Sequence, residues 1–185
     1  MFRYALIAAT LVPLAACMDV EQTAWFAPDG SLIISVEAQV KRQGWDMLTP
    51  EKRAEYMCGE PVASQITGAT VEASGETRRD VQVCRYLITI PDVWAPLPEL
   101  PIQASMEDDK LVLTMGTLME GGAALNDFQR MVLAGGSWVL RIEGDIHATT
   151  GSLEEGGMST SRTVSITEAR EAVDRPGIRA WLRTQ

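Results

Sequence analysis

Between Leu32 and Val40 the side chains alternate almost without a break. Leu32, Ile34, Val36, Ala38 and Val40 are apolar, while Ile33, Ser35, Glu37 and Gln39 between them are mostly polar. Successive side chains of an extended chain point to opposite faces, so this pattern demands a strand buried on one side only. Such strands belong to antiparallel sheets with one covered face. Pro28, Asp29 and Gly30 precede it and supply turn chemistry, Pro by fixing φ and Gly by accepting φ > 0. Residues 23–40 therefore read as two strands around a turn.

The rest of the chain extends this reading. Thr49 and Pro50 suit the N-cap and first residue of a short helix that stops near Cys58. Two strands follow, Gln65 to Glu72 and Asp80 to Ile90, around the turn-like "ASGE". In the second, Val81 and Val83 point one way and Cys84, Tyr86, Ile88 and Ile90 the other, which requires either a bulge or cover on both faces. Residues 91–101, with four prolines and Trp94, read as an extended connector, because proline cannot donate within a central ladder.

A hairpin is expected next, Ile102 to Met106 and Leu111 to Met115, turning at "EDDK". Leu125, Phe128 and Val132 then fall on one helical face over 122–134, with Gly135 as the residue after the cap. Trp138, Leu140, Ile142, Gly144 and Ile146 alternate against Val139, Arg141, Glu143, Asp145 and His147 as one strand. Another strand covers Thr160 to Ile166, and a helical region starts near Thr167, split by Pro176 and Gly177. The expected fold is α+β: an antiparallel sheet of about six to eight strands with two or three helices packed on one side. This order, with "APDGSLIISVEA" early and "WVLRIEGDI" late, is similar to the LppM-type domains of other bacterial lipoproteins. The similarity implies a fold and no activity.

The chain start addresses the protein. Arg3 precedes an apolar run from Tyr4 to Ala16, the layout of a secretory signal. The run is shorter than the roughly 20 residues that span a bilayer. Leu14, Ala15, Ala16 and Cys17 resemble, position for position, the lipobox of bacterial lipoproteins. That resemblance implies cleavage after Ala16, a diacylglycerol thioether on Cys17 and a further acyl chain, such as palmitate, on the new amino terminus. Two or more chains anchor stably where one holds marginally. The domain organisation expected is a cleaved signal peptide over 1–16, a lipidated tether over 17–22 and a single domain over 23–185. Met18, where enteric lipoproteins retained in the inner membrane carry aspartate, favours the outer membrane by analogy.

Removing 16 residues leaves 169, enough for one domain with a core. It takes away one arginine and no acid, moving the formal charge from −9 to −10, which argues against nucleic acid as a partner. With Cys17 lipidated, Cys58 and Cys84 remain as a candidate disulfide for an oxidising compartment. Closing that 27-residue loop would stabilise by about 3.5 kcal/mol. Two separate buried thiols are the alternative.

Catalytic chemistry is harder to place. His147 is the single histidine, "GGSWV" has Val139 where a nucleophile elbow needs glycine, and phosphate loops and C-x-x-C pairs are absent. Glu143, Asp145 and His147 would share a strand face, but its ends lie about 13 Å apart, too far for one metal ion. Glu107, Asp108 and Asp109, and Glu154 with Glu155, sit in expected turns. No catalytic residue, metal or cofactor is assigned.

Two features suggest binding. Arg175, Arg179 and Arg183 recur every four residues opposite Ile178, Trp181 and Leu182, as in a helix lying on anionic headgroups or docking its apolar side on the domain. Trp94 could form the rim of an apolar pocket or pin its own loop. The sequence thus reads as a non-enzymatic, lipid-anchored periplasmic protein of the cell envelope that binds a partner protein or an apolar ligand. The alternatives are a carboxylate-dependent hydrolase of envelope polymers and a structural subunit of an envelope complex.

Overall fold

The computed structural model describes residues 18–41, 68–79, 81–95, 100–118, 122, 130, 135–174 and 176–183. Its first strand, β1, spans Met18–Phe26 and turns through 27–31 into β2, Leu32–Lys41. In that turn Asp29 Oδ1 accepts from the Ser31 amide at 3.0 Å and the Ser31 hydroxyl at 2.7 Å, and Gly30 takes φ +86°. Strands β3 (Thr70–Arg78) and β4 (Val81–Ile90) form the next hairpin, reversing at Arg79. Then come β5 (Ile102–Glu107) and β6 (Lys110–Gly116), joined by Asp108 and Asp109 at φ +48° and +60°. Two successive positive φ values are what a two-residue type I′ hairpin requires.

The C-terminal part holds β7 (Ser137–Glu143), β8 (Ile146–Thr149), β9 (Ser152–Leu153), β10 (Ser159–Ser165), helix α1 (Ile166–Glu171) and β11 (Gly177–Leu182). The strands form two sheets, of seven in the order β3-β4-β2-β1-β7-β10-β9 and of four in the order β5-β6-β11-β8. β1 and β7 run parallel, and the other paired strands are antiparallel. Both sheets feed one core. Val20, Leu32, Ile34, Ile88, Trp138, Leu140 and Val164 of the first meet Leu113, Met115, Ile146, Ile178 and Leu182 of the second, with Ile166 and Ala169 of α1.

This architecture corrects the expected α+β class. Among the described residues, helix is confined to α1 and Arg130. The helices expected over 49–58 and 122–134 lie outside the described residues, apart from Gly122 and the helical Arg130. α1 begins where expected, capped by the Ser165 hydroxyl, which accepts from the Glu168 amide at 3.0 Å. Beyond Pro176 the chain is not a helix but strand β11, pairing residue by residue with β6 from Gly177↔Gly116 to Leu182↔Leu111.

Three further expectations are corrected, and one open alternative, at β4, is decided. Met18 to Gln22, expected in the tether, are the first half of β1, where Met18 and Gln22 are each only 1% exposed. "ASGE" is not a turn but the middle of β3, with Gly75 opposite Cys84. β3 is an edge strand, where glycine and serine weaken only one ladder. β4 pairs in unbroken register with both neighbours, so the buried run Gln82, Val83, Cys84 reflects cover on both faces rather than a bulge. Finally, the expected strand over 138–147 breaks at Gly144, where the chain leaves the first sheet and enters the second.

Candidate functional site

β11 alternates Ile178, Ala180 and Leu182 into the core with Arg179 and Trp181 on the opposite face. The β5–β6 turn brings Glu107 to the same outer face. One carboxylate oxygen, Oε1, accepts from Arg179 Nη2, and the other, Oε2, accepts from Trp181 Nε1 at 3.1 Å. The guanidinium carbon of Arg179 lies 4.7 Å from the centre of the Trp181 ring, within cation–π range. Val112, paired with Trp181, is fully buried on this face although it is not part of the central core. The result is an aromatic–guanidinium platform held by one carboxylate, the residue chemistry enriched where proteins meet partners.

The outer face of the seven-stranded sheet is a ladder of charge. Arg85 on β4 joins Glu37 of β2 at 2.6 Å and Glu76 of β3 at 2.5 Å, and Arg78 also meets Glu76 at 2.6 Å. Arg141 on β7 pairs with Glu154 at 2.9 Å and Glu21 at 3.3 Å. These contacts hold the carboxyls ionised. Burial pushes the Glu37 carboxyl up, but hydrogen bonds from Gln39 and Arg85 outweigh it and leave it below its ordinary value. Glu76 is lowered first by the hydrogen bond from Arg85, and Glu154 first by that from Ser159.

The sequence-derived candidates fall in different places. Cys17, Cys58 and Arg175 lie outside the described residues. Cys84 is buried in β4 at 6% exposure and is not a free group. Trp94 is 58% exposed; its backbone amide donates to Asp92 Oδ1 at 3.0 Å. Arg179 belongs to the Glu107–Trp181 platform, and Arg183, just past β11, pairs with Asp145 at 3.5 Å. Arg179 and Arg183 therefore do not stand on an amphipathic helix. Glu143 and His147 end on different sheets, and among the described residues no three His, Cys, Asp or Glu side chains gather as a metal site. Glu107 was legible only as a turn acid, because its partners lie more than 70 residues away.

Among the described residues, eleven strands in two sheets on one core, with one short helix, define a mostly β domain decorated by partly exposed ion pairs. The fold is similar to that of the folded domain of the Mycobacterium tuberculosis LppM protein, solved by NMR. The likeness covers 90% of each chain at a TM-score of 0.53 with 9% sequence identity, so it is a likeness of fold. No protein-family profile matches the chain, and no curated protein sequence matches it. No described helix is long and apolar enough to cross a membrane.

Proposed function

We propose that this chain is a non-enzymatic lipoprotein of the cell envelope, held by acyl chains on Cys17 and presenting its β domain in the periplasm to a partner protein. The observation that carries the reading is where the fold starts. β1 spans Met18–Phe26, immediately after the cysteine of the lipobox-like "LAAC", so cleavage before Cys17 removes the leader and leaves every described strand intact. The fold likeness to a lipoprotein domain supports the same reading. Two or more acyl chains suffice for a stable hold.

Within the reading, the partner surface is the Glu107–Arg179–Trp181 platform rather than an arginine helix. A non-enzymatic role is supported by the carboxylates. Glu37, Glu76 and Glu154 are each bound by arginine and lowered in pKa, whereas a general acid needs a raised value. Cys58 and Cys84 form a disulfide in the oxidising envelope, consistent with the engaged state of Cys84.

The test is fractionation of cells expressing the full chain or its Cys17→Ser variant. The unaltered protein should sediment with membranes and resist salt extraction, and the variant should not. A variant that stays with the membrane in the same way would overturn the anchor.

A further inference from the structure

The absence of a spacer after Cys17 has a geometric result. Met18 pairs with Val40, so the residue that follows Cys17 is already locked into the seven-stranded sheet. Cys17 is one peptide unit away, about 3.8 Å between Cα atoms. Acyl chains on that residue bring this end of the sheet to the headgroup level, with no tether to let the body swing away.

The side chains at this end are basic. One position beyond Val40 is Lys41, which pairs with Val81, and Val81 pairs with Arg78. Lys41 and Arg78 therefore occupy the row next to that of Met18, on β2 and β3, and Arg79 follows in the turn. The row spans about 14 Å, three strand spacings, across the sheet from β1. Four of the described acids near it are engaged. Asp19 accepts from the Ser137 amide at 3.2 Å and its hydroxyl at 2.8 Å, and Glu76 sits between Arg78 and Arg85. On α1, Glu171 meets Arg130 at 2.8 Å and Glu168 meets Arg162 at 3.6 Å.

This local sign is opposite to that of the molecule, which carries 25 acids against 16 lysines and arginines. An anionic surface attracts the Lys41 end and repels the acidic body, and screening confines both effects to roughly 10 Å. We propose that the Lys41–Arg78–Arg79 end of the sheet rests on the anionic headgroups of the anchoring membrane, fixing the domain upright with the β5–β6 turn pointing away. The proposal rests on the reading of Cys17 as lipid-modified.

An internal control is built into the chain. Lys110 starts β6 at the opposite end: its neighbour Leu111 pairs with Leu182, whose side chain lies against Gly144 at the far end of β7. The full processed protein, purified from membranes, is reconstituted in phosphatidylglycerol vesicles, in phosphatidylcholine vesicles and in detergent. The rate at which an amine-reactive acylating reagent modifies Lys41 and Lys110 is then read by peptide mass spectrometry, and the intact mass of the same preparation reads the acyl chains on Cys17.

In phosphatidylglycerol, Lys41 should react at least about fivefold more slowly than in detergent, the factor a single basic headgroup contact is worth, with Lys110 unchanged. In phosphatidylcholine that slowing should largely disappear. If Cys17 is acylated but Lys41 is as reactive as Lys110, or is slowed equally in both lipids, the orientation is refuted and the anchor stands. If Cys17 carries no acyl chain, the anchor reading fails and takes this proposal with it.

Discussion

The indole Nε1–H of Trp138 donates to the side-chain oxygen of Gln22 at 3.2 Å, deep between the two sheets. The amide nitrogen of the same Gln22 donates to the Gly116 carbonyl at 3.2 Å, so one buried side chain ties β1 and β7 of the first sheet to β6 of the second. Replacing Gln22 with leucine keeps the volume and strands both partners. The expected loss is about 2–6 kcal/mol, since each of the two buried groups left unpaired costs about 1–3 kcal/mol. Urea unfolding should show a lower midpoint with an unchanged slope; a change under about 0.5 kcal/mol would remove Gln22 from the account.

Gly151 is squeezed where the sheets converge. A Cβ there would lie 2.6 Å from the Ser161 carbonyl oxygen and 2.6 Å from Ile178 Cδ1. Gly151→Ala should destabilise by about 1–3 kcal/mol through overpacking. Gly156, at φ +88° with open space around it, should lose only about 1 kcal/mol as alanine, from backbone strain alone. Equal losses at the two positions would contradict this packing.

The Glu107–Arg179 pair is partly exposed, with side chains 40% and 38% accessible, so solvent screens it. A double-mutant cycle of Glu107→Ala with Arg179→Ala should give a coupling of no more than about 1 kcal/mol. If the platform serves a partner, both variants should lose captured partner while retaining their thermal midpoint. Unfolding of either variant at room temperature would make the platform structural instead.

Acid stability follows from the ladder around Arg85. Glu37 and Glu76 have lowered pKa values in the folded protein, so they bind protons more readily when unfolded. Their contribution is fully present above the ordinary glutamate value of 4.5 and is lost as pH falls below it through the folded values. Thermal midpoints of the native protein should therefore drop on that acid side, and Arg85→Met should flatten the drop. A profile unchanged by that substitution would contradict the assignment.

Much of the sheet was written in alternation, and it failed where two periods coincide. Arg179 and Arg183 share a helical face at spacing four, but four is also a multiple of two, so they share a strand face equally well. Ala180 and Leu182, alternating with Arg179 and Trp181, were the residues that decided for β11. Met18, Val20, Ala24 and Phe26 alternate too, yet the polar Gln22 among them disguised the start of β1. Met18 also loses its value as a sorting signal, because a side chain packed in the core must be apolar whatever the destination. Gly144, part of an apparently continuous strand, sits at φ +146° where the chain changes sheets, a conformation that alternation does not encode. The platform was invisible for another reason: it joins turn and strand residues far apart in the chain.

The central claim is that the residue next to β1, Cys17, is acylated. Its most direct test is the intact mass of the full protein isolated from the membranes of cells that express it. The mass should correspond to a chain beginning at Cys17 with a diacylglycerol group added, and further acyl mass on the amino terminus. A chain beginning at any other residue, or at Cys17 with an unmodified sulfur, would contradict the account.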